Sequence, residues 1–161
     1  MELTFTKLSQ DVNVDEFDID NGLIKQNIRD SYFNQVKNIS CTKSIALDGK
    51  IIGFYEIMAL SVKDPFDSEC DDKYFVVFLK YIFIVPEHRN RGFGSLAIKN
   101  IIRETRRFCD FIGIRFLIIH ALNEYVEWYE NRGFLCIKKF ENHTDMCFDF
   151  RDTDKYNSFL D

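Results

Sequence analysis

Residues 84–96, Ile-Val-Pro-Glu-His-Arg-Asn-Arg-Gly-Phe-Gly-Ser-Leu, constrain this chain more than any other part. The run before them, residues 74–85, is rich in Phe, Val, Ile and Tyr and reads as a buried strand. Pro86 lacks an N–H and ends its pairing. A basic glycine turn follows and opens into a predicted helix over residues 92–111. Ala97, Ile101, Phe108 and Ile112 are expected on its inner face, with Ile98, Ile102 and Cys109 beside them. Lys99, Arg103, Arg106 and Arg107 take the other face. Such a strand-turn-helix unit aims backbone N–H groups and the positive end of a helix at one point. Gly92 and Gly94 let an anion approach the backbone closely. Arg89 and Arg91 add charge there, so the turn is expected to bind the pyrophosphate of a cofactor.

The rest of the chain surrounds this unit with strands and two more helices. Residues 2–8 alternate and read as a first strand. Ile24, Ile28, Tyr32 and Val36 give residues 21–37 one apolar helical face, with Asp20 the expected N-cap. Residues 43–47 and 51–62 flank Asp48-Gly49, a strong hairpin signal. Residues 63–72 are acidic, contain Pro65 and read as a loop. Residues 115–120 form another buried strand, and residues 123–131 a short helix stopped by Gly133. A last hairpin is expected from residues 134–140 and 146–150 across the turn at 141–144. Residues 152–161 are polar and expected to fray. The natural solution is an α/β (α+β) fold, with a mixed, mostly antiparallel sheet flanked by helices on both faces.

At 161 residues and 46% hydrophobic, the chain has the length and apolar content for one domain, expected to span residues 1–161. No apolar run is long enough to span a membrane, and the N-terminus lacks a secretory pattern. The five cysteines, Cys41, Cys70, Cys109, Cys136 and Cys147, are odd in number and none are spaced as C-x-x-C. Reduced thiols in a cytoplasmic protein are expected, with no zinc or other metal site. A net charge of −5 suits a phosphate-bearing small ligand on one basic face better than a long nucleic acid.

The glycine turn gains weight from Trp128-Tyr129-Glu130-Asn131-Arg132-Gly133-Phe134 further on. Together these segments resemble the GNAT N-acetyltransferase superfamily. Arg89-x-x-Gly92-x-Gly94 matches its R/Q-x-x-G-x-G/A pyrophosphate motif, and Ile84-Val85-Pro86 its V-x-P start. Tyr129-x-x-x-Gly133-Phe134 matches its later Y-x-x-x-G-F, and the order of elements agrees along nearly the whole chain.

That resemblance implies acetyl-CoA as donor and direct attack by a primary amine of a protein, peptide or small molecule. Backbone groups of Ile82 and Ile84 would pair with the pantetheine arm. The N–H groups from Arg89 or Asn90 through Arg91, Gly92, Phe93 and Gly94 to Ser95 would cradle the pyrophosphate. Tyr129 would act as general acid toward the leaving thiolate, since a phenol can donate a proton across a short hydrogen bond. Asn123 would touch the cofactor, although it lies six residues before Tyr129, where the family has a gap of about seven. Members that use a side-chain base often place a Glu on the strand before the glycine turn; here Phe78 occupies that position. Base candidates are Glu56, His120 or an ordered water.

Residues 53–62 and 120–123, and the segment from Phe17 through the first helix, resemble the toxin-type branch of the superfamily. That branch acetylates aminoacyl-tRNA and is usually paired with a small antitoxin. The acidic balance argues against a tRNA acceptor, and the acidic loop at 63–72 could instead attract a cationic amine or basic peptide. A non-catalytic acetyl-CoA-binding module is the third reading, fed by the missing Glu and opposed by Tyr129. A homodimer is left open.

Overall fold

The computed structural model describes residues 2–152. Its strands, in chain order, are β1 (Leu3–Lys7), β2 (Cys41–Leu47), β3 (Lys50–Lys63), β4 (Lys73–Ile84), β5 (Ile114–Leu122), β6 (Leu135–Lys139) and β7 (His143–Asp149). The helices are α1 (Gly22–Val36), α2 (Phe93–Ile112) and α3 (Val126–Glu130). The strands form a mixed sheet in the order β1-β2-β3-β4-β5-β7-β6. β4 and β5 run parallel, while β1–β2, β2–β3, β5–β7 and β6–β7 are antiparallel. The expected frayed tail beyond Asp152 lies outside the described residues. No described helix is long and apolar enough to cross a membrane.

The backbone divides into two compact units. The first comprises the residues up to Met58 together with Lys80–Ile98. Here α1 packs on β2, and Ile28, Ile45, Ile52, Phe54 and Tyr55 are buried to 1% exposure or less. The Asp48-Gly49 hairpin forms as expected, both residues holding positive φ (47° and 84°). Gly53 has a different purpose. A Cβ there would lie 2.3 Å from the Phe83 carbonyl oxygen, so only glycine lets β3 approach β4 this closely. On the other side of β3, the β2–β3 register shifts between Ile45, which pairs with Gly53, and Ala46.

The second unit comprises Ala59–Leu79 and the residues from Lys99 onward. Val76, Phe116 and Cys147 form the centre of one core cluster, with Val62, Tyr74, Ile118 and Ile137 packed around them. Arg115 closes its edge, ion-paired to Asp64 at 2.6 Å and Asp149 at 3.6 Å while lying over the Tyr74 and Phe116 rings.

Three sequence expectations need correction. Asn21, not Asp20, caps α1: its side chain accepts from the Ile24 N–H at 3.0 Å. On α2 the buried stripe is Ala97, Ile98, Ile101, Ile102 and Thr105. Phe108 and Ile112 are exposed, because that stripe ends before the last two turns. The final hairpin also turns more tightly than expected, since His143 and Thr144 already belong to β7.

Candidate functional site

In the first unit, β4 delivers the chain into a 3-10 turn at Pro86–His88 and then into α2. Asn90 (φ 59°) and Gly92 (φ 84°) adopt the left-handed conformation on either side of Arg91. Alternating handedness of this kind turns successive N–H groups toward one side and builds an anion-binding concavity. The amino-terminal end of α2 carries the positive pole of the helix. A Cβ on Gly92 would meet nothing within 4 Å, so the space beside the turn is open. Phe93 is buried and anchors the start of the helix, while Arg91 stays exposed with its guanidinium over the Phe93 ring. These residues fit a pyrophosphate.

Arg89 behaves differently from the expectation. Its N–H donates to the Pro86 carbonyl at 3.1 Å. Its guanidinium makes two hydrogen bonds of 2.7 Å to Asp20, and its Nε donates to the Ile84 carbonyl at 2.9 Å. Arg89 is thus a brace that ties the turn to the end of β4 and to the segment before α1. The adjacent guanidinium holds the Asp20 carboxyl below its ordinary value. Asp20 was missed as a site residue because it lies 69 positions from its partner and no local pattern links them.

Ile82 and Ile84 are half-buried on β4. The β4–β5 register runs from Phe75↔Ile114 to Leu79↔Ile119, and β4 continues beyond it to Ile84. Glu56, a candidate base, is fully buried. Its Oε1 accepts from Ser40 at 2.5 Å and from the Lys80 ammonium at 3.0 Å. Oε1 is thus engaged by Lys80 and Ser40, while the buried Oε2 has no hydrogen-bond partner among the described residues. Nearby, burial and the Glu56 charge raise the Tyr81 phenol well above its ordinary range.

In the second unit, Tyr129 lies on α3 at 9% exposure, its ring edge-on to Trp128 and Phe134. The local sequence explains this placement. Gly133 takes φ 84° and reverses the chain, and the Phe134 N–H returns to the Tyr129 carbonyl at 3.2 Å. Burial pushes the Tyr129 phenol up to about 12, against a smaller opposing pull from Arg132. It therefore stays protonated at neutral pH and can donate.

Asn123 is committed within the second unit. Its amide donates to the carbonyls of Phe140 and Glu141 and accepts from the Thr144 hydroxyl. Both amide hydrogens are engaged, so a cofactor contact through that side chain would fall to the second lone pair of its oxygen. His120 is exposed, its ring edge-on to Phe78, with Nδ1 2.5 Å from Asp145. The acidic loop is partly neutralised: Asp64 pairs with Arg115 and Asp71 with Lys63. Less of its charge is left to attract a cation than the sequence implies.

Comparison with known proteins agrees with this geometry. The family model "Acetyltransferase (GNAT) family" matches residues 9–137. No curated protein matches the chain in sequence. Among solved structures, AtaT complexed with acetyl-methionyl-tRNAfMet superposes with a TM-score of 0.81 at 16% identity, over 95% of this chain and 98% of that one. A tyrosine-to-phenylalanine mutant of AtaT, bound to the C-terminus of the antitoxin AtaR and acetyl-CoA, gives 0.79 at 16% identity over 100% of both chains. A similar mutant of KacT gives 0.79 at 14% identity over 96% and 99%. Because that family model spans residues 9–137, most of the chain, the chain belongs to the acetyltransferase (GNAT) family.

Proposed function

We propose that the chain transfers acetyl from acetyl-CoA to an α-amino group, that of an aminoacyl-tRNA being the favoured acceptor. Bound acetyl-CoA would supply an activated thioester. The N–H groups from Asn90 to Ser95 hold its pyrophosphate, and β4 offers the backbone of Ile82 and Ile84 to its amide arm. Tyr129 donates a hydrogen bond to the departing sulfur. At about 12 its phenol is far less acidic than a thiol near 8.5, so it steadies the thiolate without surrendering its proton outright.

One observation carries the choice of amine. Phe78 stands where a base sits in related enzymes, and Glu56 is enclosed by Lys80 and Ser40. Of the side-chain candidates, only His120 has solvent access. With so little provision for deprotonation, an acceptor that is already partly neutral is favoured. An α-amine titrates near 7.7–8.0 and a lysine near 10.4, which leaves roughly 300-fold more neutral amine near pH 7. The likeness to AtaT with its acetylated tRNA supports the aminoacyl ester, as do the exposed Arg103 and Arg107 on α2. The net charge of −5 favours a second reading, the N-terminal α-amine of a peptide.

The test is thiol release with charged tRNA, uncharged tRNA, peptides with free N-termini, and N-blocked lysine peptides, with product mass analysis. Transfer to the first or third class alone is expected. Faster turnover on blocked lysine peptides would refute the α-amine assignment. Acetyl-CoA binding with no turnover on any amine would reduce the chain to a binding module.

A further inference from the structure

Across β5 and β7, in the second unit, His120 pairs with Asp145 and Leu122 with His143. Side chains alternate between faces along a strand, so His143 and Asp145 share one face and His120 joins them from the neighbouring strand. The three functional groups converge. His120 Nδ1 lies 2.5 Å and His143 Nε2 lies 3.3 Å from the same oxygen, Asp145 Oδ1. One ligand atom from each residue falls within 4.8 Å of the others. We propose that His120, His143 and Asp145 form a binding site for a divalent transition-metal ion of the zinc type.

The chemistry of the donors selects the ion. Two imidazoles and one carboxylate suit zinc, cobalt or nickel; magnesium and calcium demand oxygen ligands. Donors about 2.0–2.1 Å from a tetrahedral ion stand roughly 3.4 Å apart. His143 already stands 3.3 Å from Asp145, His120 must draw back from its 2.5 Å, and the donors, which now spread to 4.8 Å, must close on one another through side-chain rotation. Three protein ligands leave a fourth position for water, and the site is open to it: His120 is exposed and the other two are half-buried.

The surroundings hold these donors in place. Phe140 stacks on the His143 ring at 4.6 Å and 12°, and Phe78 meets the His120 ring edge-on at 4.8 Å. Asn123 pins the β6–β7 turn through Phe140 and Glu141, and Thr144 fixes Asn123 in return. Lys138, which pairs with Asp145 from β6, is the nearby cation that could compete; its ammonium lies over the Phe140 ring at 5.0 Å. The sequence offered no C-x-x-C or short His spacing to reveal the cluster. It needs the β5–β7 register to bring residue 120 beside residues 143 and 145.

This inference goes beyond acetyl transfer and does not depend on which amine is acetylated. A bound ion would occupy the His120 nitrogen, so metal and proton could not share it. The full-length protein, stripped with a chelator, is titrated with Co2+ and followed by visible absorption, then challenged with Zn2+. One Co2+ per chain is expected, with the bands of nitrogen and oxygen coordination, no thiolate charge-transfer band, and displacement by Zn2+. His143→Ala and Asp145→Ala should each weaken binding by at least about a hundredfold, more than the loss of an outer hydrogen bond alone. His143→Gln, closer in size, repeats the test if His143→Ala does not fold. Absence of stoichiometric binding in the wild type, a thiolate band, or undiminished binding in folded variants would overturn the proposal and leave a hydrogen-bonded His-Asp-His cluster. Co2+ binding is read without any thiol release, so failure here is distinguishable from failure of the acetyltransferase reading.

Discussion

Replacing Gly53 with alanine pits two effects of opposite sign against each other. Gly53 does not have the positive φ that would exclude a side chain, so backbone entropy alone makes Gly53→Ala stabilising by about 0.5–1 kcal/mol. The added Cβ, however, would sit 2.3 Å from the Phe83 carbonyl oxygen and 2.9 Å from Ile84 Cδ1, where anything under 3.0 Å forces a shift. The first obstacle is backbone and cannot rotate away, which places the cost near the top of the overpacking range, about 3 kcal/mol. The net loss is then about 2–3 kcal/mol, or roughly 5–10 °C in Tm for a chain of this size. β4 must also move at Phe83 and Ile84, beside the proposed pantetheine contact, so acetyl-CoA affinity should fall with stability. Urea unfolding and calorimetric titration with acetyl-CoA measure the two effects. Gly49→Ala is the control: it has a left-handed φ but open space, so it should cost about 1–2 kcal/mol and leave affinity intact. A Gly53→Ala protein as stable as the wild type, with unchanged affinity, would refute the close-approach reasoning.

Four further outcomes are expected. Tyr129→Phe should slow acetyl transfer by about 10²-fold with little change in acetyl-CoA Kd; unchanged turnover would remove the phenol from the mechanism. Gly92→Asp should weaken acetyl-CoA at least tenfold, because the carboxylate repels the pyrophosphate and the left-handed φ is strained; normal affinity would locate the phosphates elsewhere. Asp20→Asn should cost under about 1 kcal/mol at pH 7. Arg89 depresses the Asp20 pKa below 3.8, so this contribution is full above that value and is lost as pH falls through the depressed one. Urea melts should show the gap between wild type and variant closing in acid, and a gap that persists there would contradict the pairing. Glu56→Ala should destabilise by about 3 kcal/mol because it strands Lys80, while the rate per folded molecule stays within a few fold; a large fall in that rate would restore Glu56 as the base.

Local chemistry made much of this molecule readable in advance. The Asp48-Gly49 turn, the apolar run of β4 and the glycine turn before α2 each depend on residues within a few positions, so each appeared where expected. The same holds for Tyr129, because Gly133 and Phe134 shape its pocket from the adjoining chain. Errors arose where a residue had a better partner far away. Asp20 looked like a cap, but a guanidinium 69 positions on offered two charge-assisted bonds, and Asn21 took the cap instead. The bonds from Asn123 to Phe140, Glu141 and Thr144 were likewise hidden, since they join positions 17 to 21 apart. Phe108 and Ile112 kept the helical period of the inner face but lie beyond the buried stripe.

The sequence by itself determined that this chain carries a strand, a glycine turn and a helix in succession, and a tyrosine held beside a glycine reversal. Periodicity and φ preferences act over neighbouring residues, so no tertiary information was needed. Only the tertiary structure decided what the charged groups do. It tied the Arg89 guanidinium to Asp20 and Ile84, buried Glu56 beside Lys80, and gathered His120, His143 and Asp145 onto one face. A charge takes its meaning from whatever lies within a few ångströms, and strand register and chain crossing set that neighbourhood.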